Sequence, residues 1–188
     1  MSVVYYAATT LDGYIAEEDD TIDWLTGYQG RYEGEDAAPA RGYEEFYAGV
    51  GALVSGSVTY EWVLDHIGPG GEWPYAGKPW WVLSSREPAI PDGEGVDVRV
   101  VRGSVPELFE EMVASAGERR LWIVGGGNVA SQFADAGLLD EVEVTVVPVV
   151  LGGGKPLFGR RLEGDPMQLE GAIPRASGMV ELRFSIQR

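Results

Sequence analysis

The sequence predicts an α/β fold: a mixed, mainly parallel central sheet flanked by helices, with antiparallel strands at its C-terminal end. Two patterns predict it. Through the first two thirds of the chain short apolar runs alternate with helical stretches, the pattern of parallel strands connected by crossover helices. In the last third the period falls to two, as expected of antiparallel strands with one wetter face. The length agrees, because 188 residues of which 45% are hydrophobic make a single domain over 1–188 with a full core. The same composition excludes disorder, collagen and coiled coil.

The elements follow in order. Residues 3–8 are apolar and end in Thr9 and Thr10, and 52–55 form another apolar run between glycines, so both suit strands buried on two faces. Residues 79–84 and 121–124 repeat the pattern. The clearest helix places Val105, Leu108, Phe109, Met112, Val113 and Ala116 on one face, and Ser104 with Glu107 forms a capping box at its start. Residues 43–48, 58–67 and 128–136 are also read as helices, whereas 26–41 and 68–77 read as surface loops. Val142, Val144 and Val146 alternate with Glu143 and Thr145; Val180, Leu182, Phe184 and Ile186 alternate with Glu181, Arg183 and Ser185. Both are therefore expected to be antiparallel strands, with Ser177 and Gly178 turning the chain into the last one.

Charge and composition narrow the chemistry. Fourteen Lys and Arg against thirty Asp and Glu give a formal charge of −16, so nucleic acid and anionic membrane are poor partners. Zero cysteines exclude disulfides and thiolate metal sites, and a single histidine, His66, leaves no Ser-His-Asp triad to build. The acidic run 17–20 lacks the spacing of an EF-hand, so no metal site is expected. A cytoplasmic protein is the default reading, since no stretch has the apolar length to span a bilayer.

Two glycine clusters stand out. Residues 121–124 enter a helical stretch through Gly125, Gly126 and Gly127, and bare backbone there would let a diphosphate sit on N–H groups at the positive end of a helix. Gly125, Gly127 and Ala130 satisfy the G-x-G-x-x-A fingerprint, but after a late strand rather than the first, so a tight turn without ligand is an equal reading. The second cluster, Gly152 to Gly154 before Lys155, has Val149 and Pro156 where a P-loop needs Gly and Ser or Thr. It reads as a bend with Lys155 solvated.

Five segments in one order carry a family resemblance: AATTLDGYIA at 7–16, LVSGSVTYE at 53–61, VLSSR at 82–86, the Gly125 loop, and PVVLGGGKPLF at 148–158. Together they resemble the RibD C-terminal reductases, relatives of dihydrofolate reductase. The resemblance implies a dihydrofolate reductase-like fold, NADPH as cofactor, hydride transfer to a small nitrogen-containing substrate of pterin or pyrimidine type, riboflavin-pathway chemistry among them, and a homodimer. It places Ala8 and Ile15 against the nicotinamide, with 9–24 as a mobile loop over it. Gly56, Ser57, Val58 and Thr59 would open a helix beneath the diphosphate, and Gly126, Gly127, Asn128 and Val129 would complete the cradle. Ser84, Ser85 and Arg86 would reach the adenosine end, with Arg86 on a 2′-phosphate. Asp12, Trp24 and Tyr60 are the candidates for the substrate side, and Glu44 for the proton donor. Many relatives carry basic residues where this chain has Ser57 and Asn128. The alternative to a reductase is a non-catalytic nucleotide-binding or dimeric scaffold that keeps the fold.

Overall fold

The structure is a computed structural model and describes residues 1–30 and 43–187. The loop expected over 26–41 therefore lies outside the described residues from 31 onward. One eight-stranded sheet organises the chain, in the order β5 (Val98–Val101), β4 (Trp80–Leu83), β3 (Val50–Gly56), β6 (Arg120–Gly125), β1 (Val3–Thr10), β7 (Glu141–Val147), β10 (Val180–Ser185), β9 (Gln168–Pro174). The first six of these neighbours pair in parallel; β10 runs antiparallel to both β7 and β9. A separate pair joins β2 (Tyr14–Ala16) to β8 (Lys155–Pro156).

The helices are α1 (Asp23–Thr26), α2 (Tyr43–Ala48), α3 (Ser57–Ile67), α4 (Val105–Ala116) and α5 (Gly127–Asp135). α4 and α5 cover one face of the sheet, where Val105, Met112, Ala116, Val129, Ala130 and Phe133 pack with Val3, Tyr5, Val54 and Ile123. α2 and α3 cover the other, where Phe46, Tyr60 and Val63 pack with Val4, Leu53, Trp80 and Trp122. The capping box forms as read: the Ser104 amide and hydroxyl donate to Glu107 Oε2 at 2.8 and 2.7 Å. The last turn also forms, with Gly178 at φ 85°. Among the described residues no helix is long and apolar enough to cross a membrane.

One expectation about direction is corrected. β7 pairs in parallel with β1 from Val4 opposite Glu141 to Thr10 opposite Val147, and is antiparallel only toward β10. The reason is the α5 crossover, which returns the chain to the end of the sheet where β6 began. Its period-two pattern arises because Glu143 sits on a buried face, 7% exposed, with its carboxylate accepting from Arg120 Nη1 at 3.0 Å. Periodicity reported a polar stripe and not a strand direction.

Candidate nucleotide-binding site

β3 and β6 are neighbours, with Ser55 opposite Gly125, yet their crossovers leave in opposite directions. β3 passes through α3 to β4 on one side; β6 passes through α5 to β7, beyond β1, on the other. Such a reversal opens a crevice at the carboxyl ends of the strands, where α/β sheets take their ligands. Here it is framed by two helix N-termini, one on each face of the sheet, whose first-turn N–H groups have no acceptor within the helix.

Glycine lets the two strand-to-helix turns pack closely. A Cβ on Gly125 would lie 3.1 Å from Thr59 Cγ2 and 3.2 Å from its hydroxyl, and one on Gly56 would lie 3.6 Å from Val129 Cγ2. Gly126 takes φ 85°, a conformation that L side chains rarely adopt. Gly56, Thr59, Gly126 and Val129, which the resemblance assigns to one cradle, thus lie close together with Gly125, while Val58 turns its side chain out to solvent.

At the outer end of α3, Arg86 Nη2 donates to Ser57 Oγ at 3.0 Å and to Glu61 Oε2 at 2.7 Å, and the Arg86 amide donates to Ser84 Oγ at 2.9 Å. Ser57, Ser84 and Arg86 meet as expected, Ser85 is exposed, and Glu61 is a partner the sequence reading did not anticipate. A second unanticipated residue is Arg160, whose Nη1 donates to Asn128 Oδ1 at 3.4 Å while its Nε donates to Asp135 at 2.7 Å. A cation therefore stands beside Asn128 after all, supplied from the chain that follows β8.

That chain explains the second glycine cluster. Residues 156–159 lie directly on the start of α5: the Gly159 amide donates to Gly127 O and to Ser131 Oγ, both at 3.0 Å. Leu157 O accepts from the buried Tyr5 hydroxyl at 3.0 Å, and the Leu157 amide donates to Gly13 O at 2.8 Å. Lys155 is not merely solvated, since its Nζ lies 3.6 Å from Asp20.

The other candidates divide. Ala8 lies near the end of β1 and Ile15 in β2, both partly exposed beside the crevice strands. The segment 9–24 is tied down rather than free along its length: Thr9 and Thr10 close β1, and Tyr14 and Ala16 pair with β8. Asp12 is committed within it, accepting from Thr10 Oγ1 at 2.6 Å and from the amides of Gly152 at 2.7 Å and Leu151 at 3.3 Å. The Thr10 hydroxyl, followed by those amides, holds its carboxyl below the usual aspartate range. A lowered pKa means that the tie is complete above the ordinary value of about 3.9 and is lost as pH falls through the folded one. Asp12→Ala should accordingly speed hydrogen exchange at the Leu151 and Gly152 amides at neutral pH; unchanged exchange would show that the tie holds nothing.

The remaining candidates are Tyr60 and Trp24 from the substrate side and Glu44 as proton donor. Tyr60 is fully buried against Trp73 and Trp80, its hydroxyl donating to Ala89 O at 2.8 Å, so it belongs to the core. Burial pushes its phenol up to about 12. Glu44 is exposed on α2, and it is Phe46 of that helix that meets the sheet, stacked on Tyr6 at 4.1 Å. Trp24 is buried, and its indole N–H has no acceptor among the described residues.

A mixed sheet of this order, with both helix layers and a glycine-lined crevice at the β3–β6 reversal, is the dihydrofolate reductase-like α/β fold. The dihydrofolate reductase of Enterococcus faecalis, solved with NADP(H), superposes with a TM-score of 0.61 at 18% identity over 98% of this chain and 95% of that one. Within that class the chain belongs to the RibD C-terminal domain family, whose model matches residues 76–177. It is 33% identical to the uncharacterized protein YwjB of Bacillus subtilis over 89% of this chain and 88% of that one. It is also similar, at 29% identity and a TM-score of 0.79 over the whole of both chains, to a Shewanella sp. PV-4 protein named for riboflavin biosynthesis.

Proposed function

We propose that the chain is a cytoplasmic, homodimeric reductase that binds NADPH across the β3–β6 crevice and reduces a small pterin-like or pyrimidine-like substrate. The observation that carries this reading is the convergence of two helix N-termini at glycine turns so closely packed that a Cβ at Gly125 would press on Thr59. The donor set suits a dinucleotide: N–H groups of 57–59 and 126–129 for the diphosphate, Ser57, Ser84 and Arg86 for the adenosine end, and Ala8 with Ile15 as apolar walls for the nicotinamide. The bound cofactor supplies the hydride. The residues of this chain position the ring and hold the loop over it, through Asp12 and the β2–β8 pair. Glu143 is committed to Arg120, and we assign the accompanying proton to water.

Titration of the purified chain with NADPH and NADH, followed by tryptophan fluorescence, should give a saturable response to at least one. No response to either would overturn the reading. Light scattering at micromolar concentration should return the mass of two chains, and a monomeric mass would remove the dimer.

A further inference from the structure

Arg86 carries five N–H donors in a fixed fork, and two-point recognition of a phosphate uses one of two edges of the guanidinium, Nε with Nη2 or Nη1 with Nη2. Both edges include Nη2. In this structure Nη2 is the nitrogen already spoken for, with Glu61 Oε2 at 2.7 Å and Ser57 Oγ at 3.0 Å. Glu61 lies one helical turn after Ser57 on α3, so both acceptors come from one helix face and hold the fork from the same side. The Arg86 amide donates in turn to Ser84 Oγ, which fixes the backbone from which the guanidinium reaches α3. The Arg86 and Glu61 side chains are 60% and 35% exposed, so an incoming anion reaches the pair from solvent without unfolding anything.

We propose that Glu61 sets cofactor selectivity by competing with the ribose 2′-phosphate for Arg86. The inference rests on the nucleotide-binding reading above and deepens it at the adenosine end. A dianionic phosphate gains its two-point contact only by displacing Glu61 from one edge of the fork or Ser57 from the other, since Nη2 offers one hydrogen to each, and either way the Glu61 carboxylate remains close by as a like charge on a chain already at −16. NADH has no phosphate there and meets neither the reward nor the competition. The chain therefore discriminates between the two cofactors weakly, although it holds an arginine where discrimination is expected.

Calorimetric titration of four forms with NADPH and NADH tests this: the natural chain, Glu61→Gln, Arg86→Ala and the double variant. Glu61→Gln should tighten NADPH about tenfold, the scale of one charge-assisted contact released, and leave NADH within about twofold. Arg86→Ala in the natural background should weaken NADPH by no more than about threefold, whereas in the Glu61→Gln background it should weaken it roughly tenfold to a hundredfold. Glu61→Gln shifting both cofactors equally, or leaving NADPH unchanged while both still bind, overturns the competition and leaves the nucleotide site standing. Binding of neither cofactor to any form overturns the site and the competition together. Unchanged thermal unfolding of Glu61→Gln separates either result from a folding defect.

Discussion

Gly127→Ala is expected to destabilise the chain by ~3 kcal/mol, at the upper end of what over-packing a tight contact costs. The added Cβ would lie 2.3 Å from Pro156 O and 2.7 Å from Leu157 O, and both obstacles are backbone. Neither can give cheaply. Leu157 O is held from below by Tyr5 and its amide by Gly13, and the Gly159 amide is bonded to Gly127 itself. Relief requires residues 156–159 to lift from α5, which also moves the N–H groups of 126–129 assigned to the diphosphate. The same substitution should therefore abolish the fluorescence response to nucleotide. Gly126→Ala is the contrasting variant: its Cβ would have 3.8 Å of clearance. It bears only the backbone strain of φ 85° with ψ 98°, a cost of about 1 to 3 kcal/mol. Urea denaturation of the two variants reads the difference, and equal losses would mean that residues 156–159 are not the constraint.

Trp80→Ala should be costlier still, about 4 kcal/mol, the range for emptying a buried tryptophan. Trp80 is fully buried, packs edge-on against Tyr60 and Tyr75, and donates its indole N–H to Ser55 Oγ at 2.9 Å. Ser55 is the residue before Gly56, so the indole fixes the end of β3 where the crevice begins. Trp80→Phe keeps most of the packing and removes the donor, and should cost about 1 to 2 kcal/mol, the value of one hydrogen bond lost plus its desolvated partner. If Trp80→Phe proved as damaging as Trp80→Ala, the indole hydrogen bond and not the packing would be the dominant contribution.

What the sequence made legible was local. β1, β3, β4 and β6 are apolar on both faces and could be read from their runs, and α4 announces itself by spacing and by Ser104 with Glu107. β5 and β9 were not read, because edge strands carry a weaker burial pattern: β9 holds Gly171 and ends in Pro174, and most of its residues are exposed. β2 and β8 are too short to show a period. In the site, the glycines were legible because each marks a backbone need. Their partners were not, since Glu61 is 25 residues from Arg86, and Arg160 is 32 from Asn128, with no spacing rule to join them. Tyr60 misled for a related reason: it adjoins the Gly56 motif in sequence, but its direction from α3 points into the core. The basic pair Arg160 and Arg161, a few residues after the second glycine cluster, was a cue that could have suggested a cation for Asn128.

The place of β6 in the sheet bears on how the chain is made. β6 lies between β1 and β3, both of which precede it by more than sixty residues, and no pairing joins those two directly. During synthesis β1 on one side and the β3, β4, β5 group on the other must each wait with an open edge until residues 120–125 emerge. Open strand edges are where partly folded chains adhere to one another, and nonlocal pairing slows the closing step. Translation that pauses before residue 120 should therefore yield insoluble fragments, while insertion of the late strand closes the facing edges of both groups in a single event and leaves the far edge of β1 to β7.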